Sequence, residues 1–264
     1  GFFCDQGGDT TITVYVQPTP RLSVVIADTI VCDSTTINIA VTDGNGNVHP
    51  STTKVYQLTT TDAGGQVQGV QPTGEYPAGT PITDQLINLT NAVQTVTYHF
   101  KARIRDDRPG HGGFFCDQGG DTLIVVYVEP TARVAGSISN DTICNINPIT
   151  YTLTTPNTPL YGIRFNVRVV NPYLEISGYT TPRNNLSVAS IITETLTNIG
   201  DTARMIMYII TPATINGLGI QNCPGVNDTI RLWVNPTPRA TPINNVPEMC
   251  YGQSTRIELN SPTV

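Results

Sequence analysis

Apolar and polar residues alternate along this chain in short runs, as in TVTYHF, and clusters of Gly, Pro, Asn and Asp end each run. A side-chain period of two marks half-buried strands, and the abundant Thr, Val and Ile suit their pleated surface. No helical stripe competes with it. The pattern predicts strands near Leu22 to Ala27, Ile37 to Val41, Lys54 to Thr59, Val67 to Val70, Ile82 to Leu89, Thr95 to Ile104 and Thr122 to Val128. A second set falls near Val134 to Ile138, Thr150 to Thr154, Ile163 to Val170, Leu174 to Ile176, Leu186 to Leu196, Arg204 to Ile210 and Thr229 to Val234.

The two sets belong to a repeat. GFFCDQGGDT at 1–10 recurs letter for letter at 113–122, and TITVYVQPTPR from Thr11 is matched by LIVVYVEPTAR from Leu123. A weaker third copy starts at Cys223 and runs through LWVNPTPR to Arg239. Beyond the proline of each Pro-Thr pair the next cysteine lies fourteen residues on: Pro18 to Cys32, Pro130 to Cys144, Pro236 to Cys250. The Pro-Thr segments are the seams, short and stiff because proline fixes its own φ and restricts the residue before it. Counted from them, 1–17 is expected to be the last strand of a preceding domain, 18–129 and 130–235 two whole domains, and 236–264 the start of a following one. Seven short strands in about 110 residues, the last an alternating run entering a Pro-rich linker, indicate an all-β chain of tandem immunoglobulin-like sandwiches arranged as a rod.

Composition narrows the function classes. The chain has 264 residues, 39% of them hydrophobic and 13% charged, with a net charge of -6, so it builds real cores and reads as neither disordered nor nucleic-acid-binding. No run approaches the roughly 18 to 20 apolar residues that span a bilayer, and the N-terminus lacks a basic-then-apolar leader. Membrane insertion is not expected. His49, His99 and His111 are scattered with no nucleophile beside them, so the chain reads as non-enzymatic. Asp43, Asn45 and Asn47 in VTDGNGNV have the spacing of calcium ligands but lack the Gly and distal Glu of an EF-hand loop, and a turn is the plainer reading. That candidate aside, no cofactor is implied. Asp106, Asp107, Asp117 and Asp121 flank His111 in a loop best read as solvated, with a calcium or ligand site as the alternative. Tyr98 and Tyr208 hold matching places in the sixth strand, either as corner tyrosines or as half-buried aromatics. Tyr15, Tyr127 and Trp233 sit just before the seams, in a core or at a joint.

Six cysteines form two classes: Cys4, Cys116 and Cys223 precede a last strand, while Cys32, Cys144 and Cys250 sit between first and second strands. Metal binding needs clustered ligands, so disulfides of an oxidising compartment are the better reading. Pairing Cys4 with Cys32 would double the chain back at Pro18, against a rod. Two schemes stand. Within domains, Cys32 pairs with Cys116 and Cys144 with Cys223. Alternatively, the two cysteine loops lie at opposite ends of such a sandwich, beyond the roughly 7 Å Cα limit, so Cys32 staples to Cys223 across domains and the other four bond elsewhere.

The layout IVCDSTTINI, LINLTN, TVTYHF, a cysteine loop, DTLIVVYV and PTAR resembles the PKD-like and related Ig-like repeats of very large secreted surface proteins of the Bacteroidetes, gliding-motility adhesins among them. The resemblance covers essentially the whole chain but lacks the WDFGDG-type motif of ordinary PKD domains, with Tyr56 or Phe165 in the third strand instead. It implies a non-enzymatic, extracellular, filamentous or adhesive role and export by the type IX route. In that group an Asp followed by Thr or Ser is similar to an O-glycosylation acceptor, which implicates Thr10, Thr29, Ser34, Thr122, Thr142, Thr202 and Thr229. Without glycans the pattern is turn chemistry, since Asp closes turns and Thr opens strands. The expected function is a stalk segment that contacts neighbouring repeats of its own chain, self-associates into a fibre or ring, and meets cell surfaces or their glycans. The alternative is a carbohydrate-binding or spacer module of a secreted glycan-degrading enzyme, for which a single Trp offers little.

Overall fold

The computed structural model describes residues 8–110, 115–136, 138 and 140–263. Cys4 and His111 lie outside the described residues. The chain divides into two compact units, one of Gly1–Ile87 with Gln94–Val128, the other of Asn88–Val93 with Glu129–Val264.

In the first unit one sheet runs, in spatial order, Ile30–Val31, Asp121–Val128, Gln94–Asp106, Thr52–Asp62 and Gly74–Pro77, with Phe115–Cys116 paired to the far end of Gln94–Asp106. Its pairs are antiparallel except the first, where Tyr127 lies opposite Ile30 in a parallel bridge. Opposite it, Leu22–Ile26 pairs with Ile39–Asp43, and Thr35–Thr36 pairs with Gln85–Asn88 beside Val67–Gln68. A bridge from Ile39 to Ile82 links these last two sets. Strands one, two, five and four thus face strands seven, six and three, the order of an immunoglobulin-like sandwich. Alternation does the packing: along Gln94–Asp106, the side chains of Val96, Tyr98, Phe100, Ala102 and Ile104 turn inward and are buried.

The second unit repeats the plan. Thr142–Ile143, Asp228–Val234, Arg204–Ile215, Ile163–Val170 and Arg183–Ser187 form one sheet, with Gln221–Pro224 added to Arg204–Ile215. Pro148–Thr152 with Ile191–Thr195, and Ile176–Ser177 with Thr197–Asn198, supply the other strands, around a core centred on Leu153, Phe165, Leu196 and Ile210. A further hairpin pairs Thr241–Asn244 with Ile257–Asn260.

Three expectations change. The single strand expected over Leu186 to Leu196 is two, Arg183–Ser187 and Ile191–Thr195, in different sheets. A turn breaks it, with Ser190 N–H donating to Ser187 O at 3.1 Å and Ala189 at φ 66. Of the strand expected over Val134 to Ile138, a bridge from Ala135 to Thr154 is formed. Residues 8–21 join no ladder, and Ile12, Val14 and Val16 are 82, 77 and 91% exposed. At the matching places of the second copy, Val126 and Val128 are fully buried. Burying a valine is worth about 1.5–3 kcal/mol, so one motif has very different energetics in its two settings.

Both cores hold a buried carboxylate tied to the sixth-strand tyrosine. The Tyr98 hydroxyl donates to Asp84 Oδ2 at 2.7 Å, and the same oxygen accepts Gln71 N–H at 2.7 Å. The Tyr208 hydroxyl donates to Glu194, whose Oε1 accepts Thr180 N–H at 2.8 Å and Arg183 at 2.7 Å. The partner is a buried side chain in place of the backbone group of a tyrosine corner. Burial, then the neighbouring carboxylate, holds both phenols well above the ordinary tyrosine range. Tyr56, whose hydroxyl donates to Thr80 O at 2.8 Å, is pushed up to about 12 by burial and then by Tyr76.

Candidate functional site

The seams carry polar chemistry that repeats from one domain to the next. At the first, Gln17 Oε1 accepts the N–H of His49 at 3.3 Å. At the second, the matching Glu129 carboxylate, fully buried, accepts the N–H of Leu160 at 3.2 Å on both oxygens. Burial drives the Glu129 pKa above the ordinary carboxylate value, and the Leu160 amide offsets part of that rise. Each seam side chain therefore reaches the loop between second and third strands and satisfies a backbone donor there.

Four residues further on, the arginine that closes each seam is held by its own backbone. Arg21 N–H donates to Asn45 Oδ1 at 2.6 Å, and Arg133 N–H donates to Asn157 Oδ1 at 2.8 Å. The asparagine is itself set by an Asx- or ST-type turn: Asn45 N–H donates to Asp43 Oδ1 at 2.9 Å, and Asn157 N–H to Thr155 Oγ1 at 3.1 Å. The carbonyl of the arginine is taken as well, Arg21 O by Gly44 N–H at 3.0 Å and Arg133 O by the Thr155 hydroxyl at 2.7 Å. A third copy follows at Arg239, whose N–H donates to Thr263 Oγ1 at 3.0 Å, while Thr263 N–H donates to Ser261 Oγ at 3.2 Å. The bonds persist while Asp, Thr and Ser, or Asn and Thr, exchange beneath them.

From the other side a glycine admits the seam backbone. A Cβ on Gly225 would stand 2.0 Å from Ala132 O, and one on Gly119 would stand 2.9 Å from Pro20 O and 2.7 Å from Ala102 O. Val226 N–H donates to Ala132 O at 3.0 Å, and Ala132 is fully buried. The seam is thus clasped to the domain that follows it, by side-chain acceptors on one side and by close backbone approach on the other.

Two of the calcium-spaced residues, Asp43 and Asn45, belong to this clasp. Asp43 pairs with Lys54, whose ammonium also donates to Asn45 O at 3.3 Å and Gly46 O at 3.2 Å. A cation would have to displace Lys54, and exposed Asn47 stands outside the set. Each acid of the long loop has a basic partner: Asp106 with Arg108 at 2.6 Å, Asp107 with Arg105 at 2.7 Å, Asp117 with Lys101 at 3.8 Å and Asp121 with His99 at 3.6 Å. Among the described residues no group of three or more His, Cys, Asp and Glu could hold a metal.

Cys32 and Cys223 are disulfide-bonded, whereas Cys116, Cys144 and Cys250 carry free thiols. The within-domain pairs Cys32 with Cys116 and Cys144 with Cys223 are therefore not formed. Of the candidate glycan acceptors, Thr10, Thr29, Ser34 and Thr142 are exposed, Thr122 and Thr229 half-buried, and the Thr202 hydroxyl is buried. Tyr15 rests on His49 at 4.4 Å between ring centroids, within the first unit, and Trp233 is 41% exposed.

Immunoglobulin-like sandwiches, each entered through a clasped seam, are the class of protein this fold defines. Residues 141–238 match the family model described as a PKD-like domain. Similar solved structures include the D00-D0 domain of intimin, at 16% identity over 80% of this chain and 98% of that one, with a TM-score of 0.37. The titin I-band fragment I67-I69 is 8% identical over 93% of this chain and 77% of that one, with a TM-score of 0.41. The Escherichia coli adhesin FdeC is 13% identical over 95% of this chain and 76% of that one, with a TM-score of 0.30. No curated protein sequence matches the chain.

Proposed function

We propose that the chain is a structural and adhesive repeat segment of a very large extracellular filamentous surface protein, a stalk of the gliding-adhesin type exported by the type IX route. The observation that carries this reading is the clasp, whose hydrogen bonds recur at Arg21, Arg133 and Arg239 although the residues making them change. What the repeat keeps is the attachment of each seam to the domain after it, a property that a stalk under load needs. Oxidised Cys32 and Cys223 support an oxidising, extracellular setting. In this reading the two bond to each other, the arrangement that leaves Cys116, Cys144 and Cys250 as thiols, and the bond stabilises by about 2–4 kcal/mol. Residues 1–17 and 236–264 serve as parts of neighbouring domains, and exposed Thr10, Thr29, Ser34 and Thr142 as glycan acceptors. Low charge leaves copies free to associate laterally into a fibre or ring. Small-angle X-ray scattering of the chain tests the stalk: an elongated particle supports it, and a compact one contradicts it.

A further inference from the structure

The loop between second and third strands has different surroundings in the two units. In the second unit it carries a short segment of chain: Thr158 N–H donates to Asn91 O at 2.8 Å, Val93 N–H donates to Thr158 O at 3.0 Å, and Ala92 bridges Thr158 in parallel. The Asn157 carboxamide adds contacts to Asn91 at 3.5 Å. The segment belongs to the LINLTNA turn after the fifth strand of an immunoglobulin-like domain. Counted from the clasp asparagines, Asn45 and Asn157, the residue equivalent to Thr158 is Gly46. Gly46 is exposed, with open space where a Cβ would point. His49 of the same loop lines a cleft of about 260 Å³ together with Tyr15, Thr52, Asp106, Arg108 and Cys116. Cys116 is a half-buried free thiol there, while its repeat equivalent, Cys223, is disulfide-bonded.

We infer that this end of the first sandwich is a socket for another domain of the same repeat type. The occupant offers a Leu-Thr-Asn-Ala turn to the backbone at Gly46 and a cysteine equivalent to Cys32 to the thiol of Cys116. The second unit supplies the precedent for the turn, and the oxidised state of Cys223 the precedent for the bond. Bond formation joins two thiols as one disulfide, and the two protons and two electrons released reduce one oxidised glutathione to two glutathione thiols. The inference rests on the stalk reading, in which repeats of one kind follow one another.

The repeat itself supplies the experiment. Placing a copy of residues 18–112 ahead of Gly1 gives a complete sandwich, because 1–10 is identical to 113–122 and 11–17 replaces the last strand. The copy carries Ser23→Ala as a mass tag, and the chain is refolded with oxidised glutathione. Cys116 is expected to resist alkylation and to appear, without reduction, joined to the tagged peptide, while in the 264-residue chain it alkylates freely. Amide exchange at Gly46 is expected to slow at least about tenfold, since a hydrogen-bonded amide opens only with its surroundings. A second extended chain, with Cys32→Ser in the copy, keeps the Gly46 protection and loses the bond. Free alkylation of Cys116 with unchanged exchange at Gly46 overturns the proposal. So does a copy that stays unfolded, because residues 1–17 then fail to complete the sandwich that the socket is inferred to receive. A Cys32–Cys223 link in the 264-residue chain alongside an open Cys116 in the extended one defeats the socket and leaves the stalk standing.

Discussion

The first and second clasps make the same bonds with different residues, and the differences fall where burial differs. Gln17 at the first seam is half-buried and neutral, whereas Glu129 at the second is fully buried and ionisable. Gly119 leaves two carbonyls, Ala102 O and Pro20 O, 2.7 and 2.9 Å from its would-be Cβ, and Gly225 leaves Ala132 O at 2.0 Å. Asn157 is 6% exposed, and Asn45 is more open. The second seam is thus the tighter copy of one design, and its residues should be the less replaceable. The cores differ in the same sense, since Glu194 holds a guanidinium as well as a phenol and an amide, where Asp84 holds the phenol and the amide.

The largest effect is expected in the cores. Glu194→Ala strands the Arg183 guanidinium together with the Tyr208 hydroxyl and the Thr180 N–H, a loss of about 3–5 kcal/mol for a broken buried ion pair. Asp84→Ala strands two neutral donors and should cost about 2–4 kcal/mol. Hydrogen exchange at Tyr208 and Tyr98 reads the two units separately, and equal losses would break the distinction.

Next comes the glycine pair. Gly225→Ala drives a methyl to 2.0 Å from a backbone carbonyl and should cost about 3 kcal/mol, with loss of the Val226 to Ala132 hydrogen bond, against about 2 kcal/mol for Gly119→Ala, whose methyl meets two carbonyls at 2.7 and 2.9 Å. Thermal unfolding of the two variants ranks them. A smaller step concerns Asn157, for which Ala should cost about 1–2 kcal/mol and Thr distinctly less, because Thr263 already accepts from Arg239 with a hydroxyl. Identical losses for Ala and Thr in urea titration would mean that the accepting oxygen is not what matters.

The smallest effect sharpens the comparison through pH. Burial raises the folded pKa of Glu129, so its contribution is fully present below the unfolded value of 4.5 and is lost as pH rises through the folded pKa. Glu129→Gln gives the second seam the neutral amide of the first. The variant should lack that loss and be the more stable one at pH 7, a difference that shrinks as pH falls to about 4. A variant curve parallel to the parent's throughout would refute the assignment.

Strands buried on one face were legible in the sequence because alternation is a property of single residues, and Ile163–Val170 forms over the very span its pattern predicts. Ile30–Val31 and Gly74–Pro77 were not, since two-residue ladders carry no period and a proline masks an edge strand. The clasp was hidden for a different reason. Its bonds depend on where an oxygen lies, and Asp43, Thr155 and Ser261 all place one there. The spacing of Asp43 and Asn45 fits an Asx turn as well as a calcium loop, and the lysine that decides between them comes from the next strand. One signal was available: Tyr98 and Tyr208 each lie fourteen residues beyond a carboxylate, and both pairs are hydrogen-bonded.

Whether neighbouring domains of the stalk are covalently stapled turns most directly on the partner of Cys32. Tryptic digestion without reduction places Cys32 in Leu22–Lys54, Cys223 in Met205–Arg231, Cys116 in Asp106–Arg133 and Cys144 in Val134–Arg164, four peptides of distinct mass. The account predicts Leu22–Lys54 joined to Met205–Arg231, with the other two carrying alkylated thiols. Leu22–Lys54 joined to Asp106–Arg133, with Val134–Arg164 joined to Met205–Arg231, would contradict it and leave self-contained domains held in line by their clasped seams alone.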